Sequence, residues 1–426
     1  MTFWLIFGSI ILLFLMGTGA PIFVAFAMAG GLIMLFHLGV PLEAIGQLFY
    51  ASVDSPSLLA IPFFILAGHF MTLGGTSKRL IDVTNAFLGH LPGGMALSAV
   101  VAAAIFGTLS GSHLATAVAI GAMMVPQMTE LGYERRFSSA LICNSTTVGM
   151  LIPPSIPAII YGYATEMSVG KLFLAGVFPG LMVTALCAIL VIYISWQRGY
   201  PKSLNPGWKA RGNSLIKAIP ALFMPVLILG GIYTGVFTTT EAAGVATIYA
   251  LLAGLFIYKE LTWTNFRQGI AQGIKSTANI YFLIASAMIF GKVFISLQIP
   301  QLMTQAAVSY GFGPLAFVFS ATLLLLILGT FLEVTAMMLV TLPIFWPTMV
   351  ALKIDPYMFY VMMTLMVGVG QVTPPEGVVL YVMSDVSGEP IVSLFKESIM
   401  WLILLTVASI IVILVPSMSS WLPSTM

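Results

Sequence analysis

Charge is what this chain has least of. Only 7% of its 426 residues are charged and 59% are hydrophobic, with a mean hydropathy of +1.06. A soluble domain carries roughly a quarter charged residues, so a globular enzyme built around one core is excluded. The net charge of +2 leaves no basic footprint for nucleic acid. The two cysteines, Cys143 and Cys187, lie in apolar surroundings with neither a disulfide framework nor a zinc spacing. His37, His69, His90 and His113 are scattered and form no metal pattern, and no cofactor is expected. The opening "MTFWLIFGSIILLFLMG" lacks the basic start of a signal peptide and reads as a first membrane helix. No soluble domain is present either: the longest polar stretch, 198–214, reads as a loop.

What the chain has instead is apolar length. Apolar segments fall near 3–16, 20–37, 55–72, 94–129, 137–165, 171–197, 215–236, 241–258, 270–295, 314–350, 356–383 and 391–416. A helix needs about 20 such residues to cross a bilayer. The stretch 94–129 carries polar "SGSH" at its centre and 314–350 carries "GTFLEVT", so each reads as a re-entrant hairpin. The expected fold is an all-α polytopic membrane protein of about ten transmembrane helices plus two hairpins. With the N-terminus outside, Lys78, Arg79, Arg135, Arg136, Arg198, Lys202, Lys209, Arg211, Lys217, Lys259 and Arg267 all fall inside, which satisfies the positive-inside rule. Lys171 and Lys353 fall outside.

Two of the segments carry their own helix breakers. "GMLIPPSIPAIIYG" runs from Gly149 to Gly162, and "GQVTPPEGVVLY" from Gly370 to Tyr381. Pro153-Pro154 and Pro374-Pro375 are offset by 221, as are Gly149 and Gly370, Leu131 and Leu352, and Pro126 and Pro347. Gly107-Thr108 and Gly329-Thr330 are offset by 222. The unit is a hairpin, a broken helix and a further span, and the odd number of spans between copies inverts the second. Residues 1–54 read as N-terminal scaffold and 55–197 as the first repeat. Residues 198–214 read as a cytoplasmic loop, 215–269 as scaffold or arm helices, and 270–426 as the second repeat. Inverted repeats with discontinuous helices are the signature of secondary transporters. Proline frees backbone carbonyls, and in a membrane these must line a protein-buried or watered site.

At these motifs the chain resembles the large membrane subunit of the TRAP (tripartite ATP-independent periplasmic) transporters. The match rests on "SLLAIPFFILAG" (57–68), "GTLSGSHLATAVAIG" (107–121), "ICNSTTVGMLIPPSIP" (142–157), "SVGKLFLAGVFPG" (168–180), "GGIYTGVFTTTEAAGVA" (230–246), "FLEVTAMMLVTLPIFWP" (331–347) and "GQVTPPEG" (370–377). The resemblance implies sodium-driven, elevator-type uptake of an organic acid across the bacterial inner membrane. It also implies two partners, a periplasmic substrate-binding protein and a small four-helix membrane subunit. Membrane lipid surrounds such a chain. The sequence departs from the family pattern at His113, where a second serine is common, and at Glu376, where an apolar residue is common.

The candidate substrate residues are Ser110, Ser112, His113, Asn144, Ser155 and Glu333. Ser110, Gly111 and Ser112 form the first tip, where hydroxyls and backbone can hold a cation or a carboxylate or simply satisfy a loop. Asn144 begins the polar run Asn144–Thr147 and is either a lining residue or interhelical glue. Ser155 stands at a half-helix N-terminus, suited to an anion or to N-capping. Glu333 is a carboxylate in an apolar stretch, which defaults to function. His113 reads first as a satisfied polar side chain. Sodium ligands are expected from Ser110, Gly111, Gly149, Ile152, Pro153, Gly329, Thr330, Gly370 and Thr373. Glu241, in "TTTE", reads as part of a capping box. Glu376 reads as a first-turn helix cap, with a cavity-facing specificity role as its alternative. The Met pairs at 123–124, 337–338 and 362–363 read as adaptable packing. The rivals to a transporter are an intramembrane hydrolase and a channel. Ser112 and His113 are neighbours, but no acid partner follows in register, and paired inverted hairpins favour alternating access over a continuous pore.

Overall fold

The computed structural model describes residues 2–203 and 205–426. Among them the secondary structure is helical throughout. Seven helices are long and apolar enough to cross a membrane: Pro56–Leu73, Val169–Arg198, Gly207–Tyr233, Thr239–Ile257, Trp263–Ser296, Val334–Ala351 and Ile391–Leu414. Val334–Ala351 is one arm of a hairpin, so six of these are simple spans. Thr2–Gly17 and Ile22–Phe36 have 16 and 15 residues, a little short for a hydrocarbon core of about 30 Å. These eight and the two broken helices together make the expected ten.

The stretch 94–129 folds as Gly94–Ser110 and His113–Glu130, and 314–350 as Pro314–Gly329 and Val334–Ala351. The first turnaround takes two residues, Gly111 and Ser112, and the second takes four, 330–333. Gly111 has φ +59 and ends the first arm in the left-handed conformation that a side chain disfavours. The broken helices are Arg135–Ser145 with Ile156–Thr165, and Pro356–Gly370 with Val378–Ser387. The Pro153-Pro154 and Pro374-Pro375 peptides are both cis.

Each repeat is longer than the hairpin unit. Amphipathic Thr76–Leu88 precedes the first hairpin and Ile299–Ser309 the second, joined in turn to Pro56–Leu73 and Trp263–Ser296. Trp263–Ser296 runs unbroken through the boundary expected at 269/270. The polar stretch 198–214 is not all loop, because helix Gly207–Tyr233 starts inside it. Its charges misled the sequence reading: Arg211 is buried, donating to the Ala86 carbonyl at 3.1 Å and lying over the Trp208 ring.

Helices Thr2–Gly17, Ile22–Phe36, Ala60–Leu73, Gly207–Tyr233, Thr239–Leu252 and Trp263–Ser296 pack among themselves as an outer frame. The hairpins and broken helices pack on Val169–Arg198 and Ile391–Leu414 as an inner body. Trp263–Ser296 touches the second hairpin and links the two groups. Ion pairs tie the ends of the inner body, with Arg198 to Glu397 at 2.6 Å and Arg136 to Glu134 at 2.6 Å. Glu241 closes the expected capping box, its carboxylate accepting from the Thr238 N–H at 2.8 Å.

Two glycine pairs set the core spacing. A Cβ on Gly107 would overlap the Cα of Gly149, and one on Gly370 would overlap the backbone of Gly329. Hairpin backbone therefore lies directly on broken-helix backbone in both repeats, a closeness only glycine permits. Thr147 and Gly368 are repeat equivalents at offset 221, and they touch each other: a Cβ on Gly368 would strike the Thr147 side chain. They mark the pseudo-twofold axis between the copies.

Candidate functional site

Between the two tips and the two breaks lies a cavity of about 70 Å³. Its wall takes Gly111–Leu114 from the first tip, Met150, Ile156 and Pro157 from the first break, Glu333–Thr335 from the second tip, and Gln371 from the second break. Ile280 completes it from the outer frame. Four pairs of repeat equivalents line this single space: Ser112 with Glu333, His113 with Val334, Leu114 with Thr335, and Met150 with Gln371, each offset by 221. The positions pair up and the chemistry does not. Where one copy offers a polar side chain, the other mostly offers an apolar one.

Helix ends supply the remaining polarity. Ser112 and Glu333 are the N-cap residues of their returning arms. Ser112 Oγ accepts from the Ala115 N–H at 3.3 Å. Glu333 makes no side-chain cap bond, and its Oε1 accepts from Thr335 Oγ1 at 3.3 Å. Its carboxylate thus stands beside the first-turn amides of Thr335 and Ala336, where negative charge is favoured.

His113 crosses between the repeats. Its Nδ1 lies 2.7 Å from the Gln371 side-chain amide and its Nε2 3.2 Å from the Cys143 carbonyl. The atoms facing the ring, Gln371 Oε1 and the Cys143 carbonyl oxygen, both only accept; Nε2 donates to Cys143, and a neutral ring pairs Nδ1 with Gln371 once that amide is turned to present its nitrogen. One imidazole therefore ties the first tip to both broken helices.

Gly111, Ser112, His113 and Glu333 thus meet at one place. Several other expected residues are turned elsewhere. Ser110 Oγ pairs with Thr116 Oγ1 at 2.8 Å and shapes the tip from within. Asn144 is fully buried and donates to the Ala140 carbonyl at 2.8 Å and to Ser398 Oγ at 2.9 Å, so it joins helices rather than lining the cavity. Ser155 pairs with Tyr360 OH at 3.1 Å. The Thr330 and Thr373 hydroxyls bond back to Ile327 and Val369 at 2.8 and 2.7 Å. Gly149, Gly329 and Gly370 are occupied by the backbone contacts above, and Ile152 packs over Gly180. Pro153 lies in the first break beside them. The sequence reading missed Gln371, Thr335, Met150 and Ile280. Gln371 was within reach, as a polar residue in the quoted "GQVTPPEG" on the last turn before a break.

A second, wider cavity of about 860 Å³ lies between the N-terminal helices and the second repeat. Leu13, Met16, Gly17, Gly19, Ala20 and Ile22 face Phe331, Pro375, Glu376, Val378 and Tyr381 across it. The second tip is the wall between the two spaces, with Phe331 on the wide side and Glu333 on the narrow one. The Glu376 N–H donates to the Thr330 carbonyl at 3.2 Å, fastening break to tip. The capping expected of Glu376 is not what the structure shows. Helix Val378–Ser387 starts two residues later, with Gly377 at its N-cap and no side-chain cap bond. Gly377 has φ +40, and this turn carries the chain past Glu376 before any helical amide is exposed.

The family model described as tripartite ATP-independent periplasmic transporter, DctM component, matches residues 9–418. The chain is 38% identical to the C4-dicarboxylate TRAP transporter large permease protein DctM of Pseudomonas aeruginosa, over 93% of each chain. It is 34% identical to the ectoine TRAP transporter large permease protein TeaC of Halomonas elongata, over 95% of each. The Alcanivorax borkumensis YdaH transporter structure superposes with a TM-score of 0.61 at 14% identity, covering 88% of this chain and 89% of that one. At that identity the likeness concerns the fold alone.

Proposed function

The chain belongs to the DctM-component family of tripartite ATP-independent periplasmic transporters, a family of transport subunits and not of enzymes, and from that premise we propose sodium-coupled uptake of an organic acid as its function. The observation that carries this reading is the cavity shared by four pairs of repeat equivalents, with one carboxylate and two helix N-termini around it. A space of that size suits ions and water, whereas organic ligands occupy roughly 300–1,000 Å³. The narrow cavity is thus the coupling-ion and carboxylate end of the site, and the substrate body extends on the wide side of the second tip. Break carbonyls and the Glu333 carboxylate supply oxygen ligands of the kind sodium takes.

Alternating access follows from the two-body layout. The inner body carries both hairpins and both breaks and slides against the outer frame as an elevator. Arg135 donates to the Ser387 carbonyl at 3.1 Å, which puts the end of the second broken helix on the arginine-bearing side. By the positive-inside rule that side is cytoplasmic. The wide cavity opens beside this half-helix, while the first-repeat counterparts Ser155 and Ile160 are buried. This asymmetry is that of an inward-facing carrier. The assembly is completed in the bacterial inner membrane by a small four-helix subunit and a periplasmic binding protein that delivers substrate.

The test is uptake into proteoliposomes holding the complete complex. The account expects accumulation only with binding protein, small subunit and an inward sodium gradient. Accumulation in sodium-free buffer, or by this chain alone, overturns it.

A further inference from the structure

Among the described residues Glu376 is the only carboxylate, lysine, arginine or histidine on the wall of the wide cavity. Among the described residues it has no ion pair and no side-chain hydrogen bond. Glu333 is the corresponding carboxylate in the narrow cavity, and among the described residues neither wall contains a lysine or arginine. The carboxylates along this path are therefore not offset by a lysine or arginine.

The break does not require that carboxylate. The repeat equivalent of Glu376 is Ser155, which follows the same proline pair, is buried, and pairs with Tyr360. A neutral residue thus serves the same turn in the other copy. Nor does Glu376 cap the following helix, since Gly377 holds that place. What remains is its position: a half-buried carboxylate aimed into a space of organic-ligand size. In a cavity with apolar walls a unit charge acts more strongly than in water. It attracts a cationic group and repels a second carboxylate, the repulsive element that specificity needs.

We infer that Glu376 is a specificity-determining residue, and that the substrate carries a cationic group, ammonium or amidinium, beside its carboxylate. This rests on the wide cavity being the substrate's place in the transport reading above. A simple dicarboxylate would meet uncompensated repulsion there.

The test needs no transport, so its failure is distinguishable from failure of the transport reading. Both native cysteines are buried. Leu13→Cys, at an exposed cavity position on the opposite wall, gives one reactive thiol, and Tyr381→Cys gives a second. Each is labelled with a cationic and an anionic methanethiosulfonate of similar size, with Glu376 present and with Glu376→Gln. The expected ratio of cationic to anionic rate falls about tenfold on Glu376→Gln, the effect of a little over 1 kcal/mol of charge interaction. Labelling is then repeated with ectoine as zwitterionic probe and succinate as dianionic probe. Ectoine should protect the thiols better than succinate, and Glu376→Gln should remove that preference. A rate ratio unchanged by Glu376→Gln at both thiols overturns the proposal. So does succinate protecting as well as ectoine with Glu376 present.

Discussion

Gly107→Ala isolates the contact that seats the first hairpin on its broken helix. The added Cβ meets the Cα of Gly149, which is backbone and cannot rotate away. Carbon atoms rest at about 3.5–4.0 Å, so the hairpin arm and the broken helix have to separate by ~1 Å. Overpacking of this kind costs ~1–3 kcal/mol. Against it stands the gain of alanine over glycine in a helix, about 1 kcal/mol. Gly31→Ala is the control: it is also helical, and nothing lies within 4 Å of its new Cβ. The helix gain is common to both variants, so their difference reads the clash alone, ~1–3 kcal/mol. At ~2 °C or less per kcal/mol for a chain of this length, Gly107→Ala should denature a few degrees below Gly31→Ala in detergent, followed by tryptophan fluorescence. Uptake should fall with it, because the first tip rides on the displaced arm. Gly370→Ala should repeat both losses in the second repeat. If Gly107→Ala melts with or above Gly31→Ala, the backbone contact is not there and the repeat packing described above is wrong.

Glu333→Gln should cut uptake more than tenfold and raise the sodium concentration for half-maximal rate, with little loss of stability, since its contacts are local, to Thr335 and Ala336, and an amide oxygen still accepts from them; unchanged sodium dependence would refute its role. Asn144→Ala should lower stability by about 0.6 and at most ~1.7 kcal/mol, the range for interhelical polar pairs in membranes, and leave the substrate KM unaltered. A large KM change would place Asn144 back in the site. Ser155→Ala, which removes one partner of Tyr360 OH, should cost a similar amount and keep uptake within about threefold; a tenfold loss would mean that Ser155 meets the substrate directly.

Much of the architecture was legible because membranes make breaks costly. Two proline pairs at one offset located the breaks, and "SGSH" and "GTFLEVT" located the tips. The chain's apolar bulk gave the number of spans. The arm helices Thr76–Leu88 and Ile299–Ser309 went unread, since they are amphipathic and too short for a hydropathy window. Residues around Lys209 and Arg211 read as loop because positive charge marks cytoplasmic loops, yet Arg211 is satisfied by the Ala86 carbonyl and an indole face. Site residues were harder. Serine, threonine and asparagine in a membrane helix look alike whether they line a cavity or bond a neighbour. The sequence could not say that Asn144 faces Ser398 while Gln371 faces His113. The offset of 221 held the missing information, because the equivalents of Leu114 and Met150 are the polar pair Thr335 and Gln371.

The central claim is that one site, assembled from two inverted copies, couples substrate to sodium. With one tip-and-break assembly per copy, the prediction is at least two sodium ions per substrate. The direct measurement is the ratio of labelled sodium to labelled substrate entering proteoliposomes that hold the complete complex, taken as initial rates under one sodium gradient. A ratio of two or more is the expected result. A ratio of one or less, or substrate entry without sodium entry, contradicts the account.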